Sequence, residues 1–222
     1  QGLSVDDFYK WINTNIRLSD LSSNDSKSFT GSKTDDFKLV LFPDKHIDYF
    51  PIGAKIKTAG SVWLSINPSN VSSVKPTAVV ARCNSSYNSF DYYGNVVTEP
   101  IVVERYAMMN NSNETPNNLV LPDGYFNVTC QLNDNTKQIK QNYRLILGSQ
   151  SFYVTGVTDF IQEFSGDRES CHLLNFTIRK EENINEYDDL EKTFIANGKN
   201  SVYSATLDGA DKIKVGQTAQ LT

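Results

Sequence analysis

The chain has 222 residues, 39% apolar and 11% aromatic, and a formal net charge of −5. That is enough apolar material for a real core, which excludes a disordered chain. With 21 basic residues against 26 acidic ones and no Lys/Arg cluster among the aromatics, phosphate finds no electrostatic footprint, so nucleic acid is not an expected partner. No apolar run approaches the roughly 18 residues of a membrane-spanning helix, so no span is expected within the chain.

The chain opens at Gln1 without an initiator Met, an end that signal-peptide removal or trimming leaves. In "LSVDDFYKWINTNIRL" the residues Val5, Phe8, Trp11, Ile12 and Ile16 fall at spacings of three and four. They predict a short N-terminal amphipathic helix, capped by Ser4, with Asp6 and Asp7 at its positive end. Residues 19–36 are polar and read as a linker.

From residue 37 the pattern changes to period two. Strands are expected near 37–42, 54–58, 61–66, 77–83, 101–108, 118–121, 124–132, 143–147, 150–157, 172–179, 192–196, 201–207 and 211–215, with Gly, Asn, Asp and Pro between them. This spacing predicts an all-β fold: a sandwich, a barrel or a trefoil-like arrangement. The simplest division is a helix and linker over 1–36 and a β-rich domain over 37–222, with a subdivision near 140 as the alternative.

Asparagine is the loudest compositional signal. With 22 Asn and 38 Ser plus Thr, random placement gives roughly four Asn-x-Ser/Thr glycan-acceptor triplets. There are seven, at Asn24, Asn70, Asn84, Asn110, Asn113, Asn127 and Asn175. In "GYFNVTCQL" the strand alternation places Asn127 and Thr129 on one face, and Phe126, Val128, Cys130 and Leu132 on the other. The same parity in "LLNFTIR" puts Asn175 and Thr177 outward and Leu174, Phe176 and Ile178 inward. A sugar site and a core strand are therefore compatible, and the chain reads as a secreted or cell-surface glycoprotein. Three cysteines, Cys83, Cys130 and Cys171, predict one disulfide and one unpaired thiol. Cys83–Cys130 and Cys130–Cys171 are the pairings to weigh.

Catalytic motifs are missing. There is no nucleophile elbow, P-loop, zincin helix or dinucleotide fingerprint. His46 sits in a charged turn, and His172 adjoins Cys171, so as strand neighbours their side chains would face opposite ways. No metal site and no cofactor are expected. Asp35-Asp36 and Asp188-Asp189 read as solvated loop pairs. A non-enzymatic role is expected, with a carbohydrate-active hydrolase using Asp or Glu as an alternative. Tyr87, Phe90, Tyr92 and Tyr93 in "SSYNSFDYYGN" lie among small polar residues. That composition suits a loop contacting a protein or a glycan.

"FKLVLFPDKHIDYFPIGAKIKTAGSVWLSI", with the ending "SVYSATLDGADKIKVGQTAQLT", resembles secreted cell-wall mannoproteins of yeasts over about a quarter of the chain. The resemblance implies a folded β domain ahead of a Ser/Thr-rich anchored stalk, and a role in adhesion or wall structure. It assigns no functional residue. A viral envelope or immune-decoy domain binding a host receptor is the alternative.

Overall fold

The structure is a computed structural model that describes residues 11, 15–21, 36–41, 52–58, 60–67, 77–105, 124–158, 173–182 and 184–200. Strands β1 (Arg17–Asp20), β2 (Phe37–Leu41), β3 (Lys55–Thr58), β4 (Ser61–Ser65) and β5 (Thr77–Arg82) form one sheet, in the order β1-β2-β5-β4-β3. Strands β6 (Ser85–Phe90), β7 (Val96–Arg105), β8 (Tyr125–Gln131), β9 (Arg144–Leu147), β10 (Gln150–Thr158) and β11 (Leu173–Lys180) form a second, in the order β6-β7-β8-β11-β10-β9. Every pairing is antiparallel. The first sheet is a half-barrel and the second comes close to a closed barrel, so the all-β expectation holds.

Alternation builds the core of the second sheet. Val128 and Cys130 of β8, and Leu174, Phe176 and Ile178 of β11, point inward with Tyr87, Ile101, Leu145, Phe152 and Val154. All six strands contribute to this one cluster. Each fully buried aliphatic or aromatic side chain contributes about 1.5–3 kcal/mol. Phe126 and Phe152 meet edge to face, with ring centroids 5.8 Å apart, the arrangement the ring quadrupoles favour. The inward parity expected for β8 and β11 is the observed one.

The two sheets meet at a mixed seam. Phe37, Leu64 and Ala81 of the first pack with Val102 and Leu173 of the second. Beside them Lys55 Nζ donates to Glu99 Oε1 at 2.7 Å, with only 5% of the Glu99 side chain exposed. Gln131 Nε2 donates to the carbonyl of Gly53 at 2.8 Å. These polar bridges tie β3 and the turn before it to β7 and β8.

Several expectations change. The predicted helix falls mainly on residues outside those described, but Arg17–Asp20 is a strand paired with β2. Its side chains satisfy period two, since Ile16 and Leu18 pack on the half-barrel core. Residues 85–95, read as a loop, hold β6 and a hairpin turn, because serines at 85, 86 and 89 hide the alternation. Residues 192–196 form no strand and make one isolated bridge, Asp189 to Ile195. The expected strands at 118–121, 201–207 and 211–215 lie outside the described residues.

Neither Cys83 nor Cys130 is bridged. Cys130 lies inside the near-barrel and Cys83 packs at the inter-sheet seam, so the two belong to different clusters. Burial pushes the Cys83 thiol up to about 12 and raises that of Cys130 as well. Both are therefore neutral, unreactive thiols at physiological pH. Cys171 lies outside the described residues.

The seam yields a stability prediction. Lys55→Met should destabilise the fold by about 3–5 kcal/mol by stranding the Glu99 carboxylate. Adding Glu99→Leu should recover most of that loss. Urea unfolding of the single and double variants checks both outcomes.

Candidate functional site

The β6–β7 hairpin ends in the turn Asp91-Tyr92-Tyr93-Gly94-Asn95. Asp91 organises it. Its Oδ1 accepts the backbone N–H groups of Tyr93 and Asn95, each at 2.8 Å, and its Oδ2 accepts the Asn95 amide at 3.0 Å. The backbone closes the same loop, with Asp91 N donating to Asn95 O and Gly94 N to Asp91 O. These donors, the Asn95 side chain first, hold the Asp91 carboxyl below the usual carboxylate range. Gly94 sits at φ +83°, a left-handed conformation that glycine adopts without strain.

The turn lifts two aromatic rings into solvent. Tyr92 is 96% exposed and Tyr93 84%. The rings stand nearly perpendicular, at 87°, with centroids 5.4 Å apart. Two neighbouring tyrosines left bare on a hydrogen-bonded turn form an exposed aromatic patch that, among the described residues, packs only ring against ring. The other two aromatic candidates are placed differently. Tyr87 is 2% exposed and belongs to the near-barrel core. Its hydroxyl lies 2.7 Å from that of Tyr143, and burial together with Tyr143 drives its pKa up. It is therefore a core residue rather than a contact residue. Phe90, at the end of β6, is half-buried.

The acceptor asparagines acquire a second explanation. Asn84 Nδ2 donates to the Val103 carbonyl at 2.8 Å while its Oδ1 accepts the Val103 N–H at 2.8 Å. The nitrogen that a glycan would occupy is thus bonded to β7. Asn127 and Asn175 lie on adjacent strands in a register that sets Asn127 opposite Thr177 and Asn175 opposite Thr129. Thr129 donates to Asn175 Oδ1 at 2.8 Å and Thr177 to Asn127 Oδ1 at 3.2 Å. Asn-x-Thr is the spacing of one strand face, so two antiparallel copies build a reciprocal polar ladder. Asn24, Asn70, Asn110 and Asn113 lie outside the described residues, as do His46 and His172.

A second surface element spans residues 184–200, where the sequence reads a solvated acidic loop followed by a strand at 192–196. Asp188 and Asp189 are buried rather than solvated. Arg144 of β9 grips Asp188 with both terminal nitrogens, at 3.0 and 2.8 Å, and holds Glu181 at 2.6 Å. Burial alone would raise the Asp188 pKa. The Arg144 fork and the backbone N–H of Asn197 outweigh it and hold the group below the usual range. Asp189 accepts the N–H of Lys192, the Thr193 hydroxyl and the N–H groups of Thr193 and Glu191, which outweigh its burial and bring its pKa down to about 2. Gly198 is packed so closely that a Cβ would stand 2.9 Å from Thr193 Oγ1. On this scaffold Ile184, Tyr187 and Phe194 remain 54%, 44% and 40% exposed. The only hint in the sequence was the Asp-Asp pair followed by Asn-Gly, which signals a turn but not burial.

Among the described residues no group of three or more His, Cys, Asp or Glu side chains is placed to hold a metal ion. No described helix is long and apolar enough to cross a membrane. A shallow groove of about 320 Å³, lined by Asn84, Val103, Phe126, Leu147 and Phe152 among others, opens between β6 and β9.

An all-β domain with a braced aromatic tip is the class these features define. Residues 55–166 match the YomX C-terminal domain, half of the chain, and the protein belongs to that family. The family is of bacterial and phage type, which overturns the resemblance to yeast cell-wall mannoproteins. No curated protein and no solved structure matched the chain. The matched segment runs from β3 to beyond β10 and includes the hairpin tip.

Asp189 makes a pH prediction. Its folded pKa lies below the unfolded one, so its contribution is present above about pH 4 and is lost as pH falls through about 2. Asp189→Asn should lower stability at neutral pH and flatten the fall between those values. Urea midpoints measured at a series of pH values check both.

Proposed function

We propose that the protein is a non-catalytic binding domain acting at a cell surface, and that it contacts a protein or glycan partner through the Tyr92–Tyr93 hairpin tip. One observation carries this reading: two adjacent tyrosines are 96% and 84% exposed on a turn that Asp91 holds in place. Preorganisation matters because ordering rotamer-rich side chains at an interface opposes binding by about 0.5–1.5 kcal/mol each. Tyrosine adds large contact area with only two side-chain torsions.

The acidic groups support a binding role over hydrolysis. A general acid needs a raised pKa in an open cleft. Asp91, Asp188 and Asp189 are shifted downward instead, and their oxygens are taken by backbone donors and by Arg144. The perpendicular setting of the two rings favours a partner that meets one ring by its face and the other by its edge. A flat polysaccharide ribbon would match two coplanar rings better.

The double substitution Tyr92→Ala and Tyr93→Ala should reduce binding at least about tenfold. Whole cells, immobilised peptidoglycan, chitin and β-glucan serve as probes. Circular dichroism and the urea midpoint should stay unchanged, because neither ring packs in a core. Undiminished binding by the double variant would remove the tip from the contact.

A further inference from the structure

We infer that the outer face of the second sheet, across β7, β8, β11 and β10, is a saccharide-binding floor that ends in a cleft against the first sheet. The site shares no residue with the hairpin tip and goes beyond the reading above.

Register places every residue of the floor. Directly opposed residues of antiparallel strands share a face, and this face is the one turned away from the Val128, Phe176 and Ile178 core. One row across the sheet holds Tyr153, Arg179 and Tyr125. The next holds Gly156, Thr177, Asn127 and Glu104, and the third Thr158, Asn175, Thr129 and Val102. With rows about 7 Å apart and strands about 4.8 Å apart, the floor measures roughly 14 Å each way. Of these residues only Val102 is buried. Beyond the third row the face meets the first sheet, where Leu173 and Phe37 join one apolar cluster. In that corner Phe37 and Ala81 line a cleft of about 220 Å³ with Val102, Glu104, Thr129 and Asn175.

The floor is built to hydrogen-bond and to stack. The Thr177 and Thr129 hydroxyls donate to Asn127 Oδ1 and Asn175 Oδ1, at 3.2 and 2.8 Å. Each bond uses the amide oxygen and leaves the N–H donors of that asparagine without a partner among the described residues. Arg179 lies 5.4 Å from the Tyr125 ring centroid and donates from Nη1 to the Tyr153 hydroxyl at 3.3 Å. Its guanidinium is thus held between two tyrosines with donors to spare. Gly156 leaves a dip in the second row, where an added Cβ would meet nothing within 4 Å.

This chemistry selects the occupant. Sugar hydroxyls both donate and accept, which matches amide N–H groups and threonine oxygens set side by side. The C–H faces of a sugar ring rest on tyrosine rings and on apolar side chains such as Phe37 and Val102. An acyl chain would cover the asparagine donors without pairing them. A polyanion needs several cations. The floor offers one exposed cation, Arg179, and one carboxylate, Glu104. Arg144, opposite Tyr153 at the end of the first row, is taken by Asp188 and Glu181. The rows therefore fit an uncharged oligosaccharide.

The test is calorimetric titration with cellotetraose, maltotetraose and chitotetraose, with the side-chain amide NMR signals of Asn127 and Asn175 as a second readout. At least one tetrasaccharide should bind at millimolar concentration or below and shift those signals. Gly156→Trp should weaken that binding at least about tenfold by filling the dip. Its urea midpoint should change little, since no atom stands where the Cβ would go. Asn175→Asp should weaken binding as well, because it keeps the acceptor for Thr129 and removes the amide donors. The Tyr92→Ala and Tyr93→Ala double variant should bind the sugar as the parent does. Binding of none of the three sugars, or binding that persists in Gly156→Trp, overturns the inference and leaves the hairpin reading standing. Sugar binding lost only in the tyrosine variant assigns the sugar to the tip and overturns the floor as its site. Cell binding retained in full by the tyrosine variant defeats the hairpin reading alone.

Discussion

The two edges of the second sheet, β6 and β9, face each other without a backbone ladder between them, and side chains lace the gap. The Tyr87 and Tyr143 hydroxyls meet at 2.7 Å across it, and Asn88 reaches the Thr193 carbonyl just beyond. A six-stranded sheet with both edges bare would expose two rows of unpaired backbone groups. Bringing the edges together buries Tyr87 and completes the ring of side chains around Val128, Cys130 and Ile178. It also decides what lies at the surface. Strand β6 is pinned at Tyr87, so the hairpin beyond Phe90 must project from the barrel. Strand β9 begins at Arg144, so the acidic loop that Arg144 grips is drawn to the same side.

The polar groups divide by role. Lys55 with Glu99, and Gln131 with Gly53, hold the two sheets in register. Arg144 with Asp188 and Glu181 holds a loop to the barrel. Asp91 holds a turn. In each case a carboxylate or amide is satisfied by fixed donors or gives its own, which is why the shifted acids move downward rather than up. The rings of Tyr92 and Tyr93, lifted by the Asp91 brace, are left outside the core.

Asn-x-Ser/Thr triplets show how a pattern can carry two meanings. In a strand, residues two apart share a face. Asn127 and Thr129, set against Thr177 and Asn175, use that spacing to cross-link β8 and β11 by side-chain hydrogen bonds. Asn84 uses both ends of its amide to secure β7. An excess of triplets in an asparagine-rich β protein is therefore also what strand pairing produces. The match of the chain to a bacterial and phage family fits that structural account.

Much of the strand content was legible because it is local. Alternation in "YFNVTCQL" and "LLNFTIR" reports which side chains face a core, whichever strand lies alongside. Composition also set the acidic balance of the chain. Where polar residues occupy inward positions, the alternation vanishes, and β6 with its serines was hidden for that reason. The fate of the tyrosines was beyond any local reading. Tyr87 and Tyr92 share a stretch of similar composition, yet one is 2% exposed and the other 96%. Asp188 looked like a solvated loop acid until Arg144, 44 residues away, reached it. Such outcomes depend on contacts between segments distant in sequence, which the pairing of sheet edges creates and local periodicity cannot encode. By itself the sequence determined that the protein is a β-sheet protein with a mildly acidic surface. Only the tertiary structure decided which aromatics form the core, which meet the solvent, and which charges stand beside them.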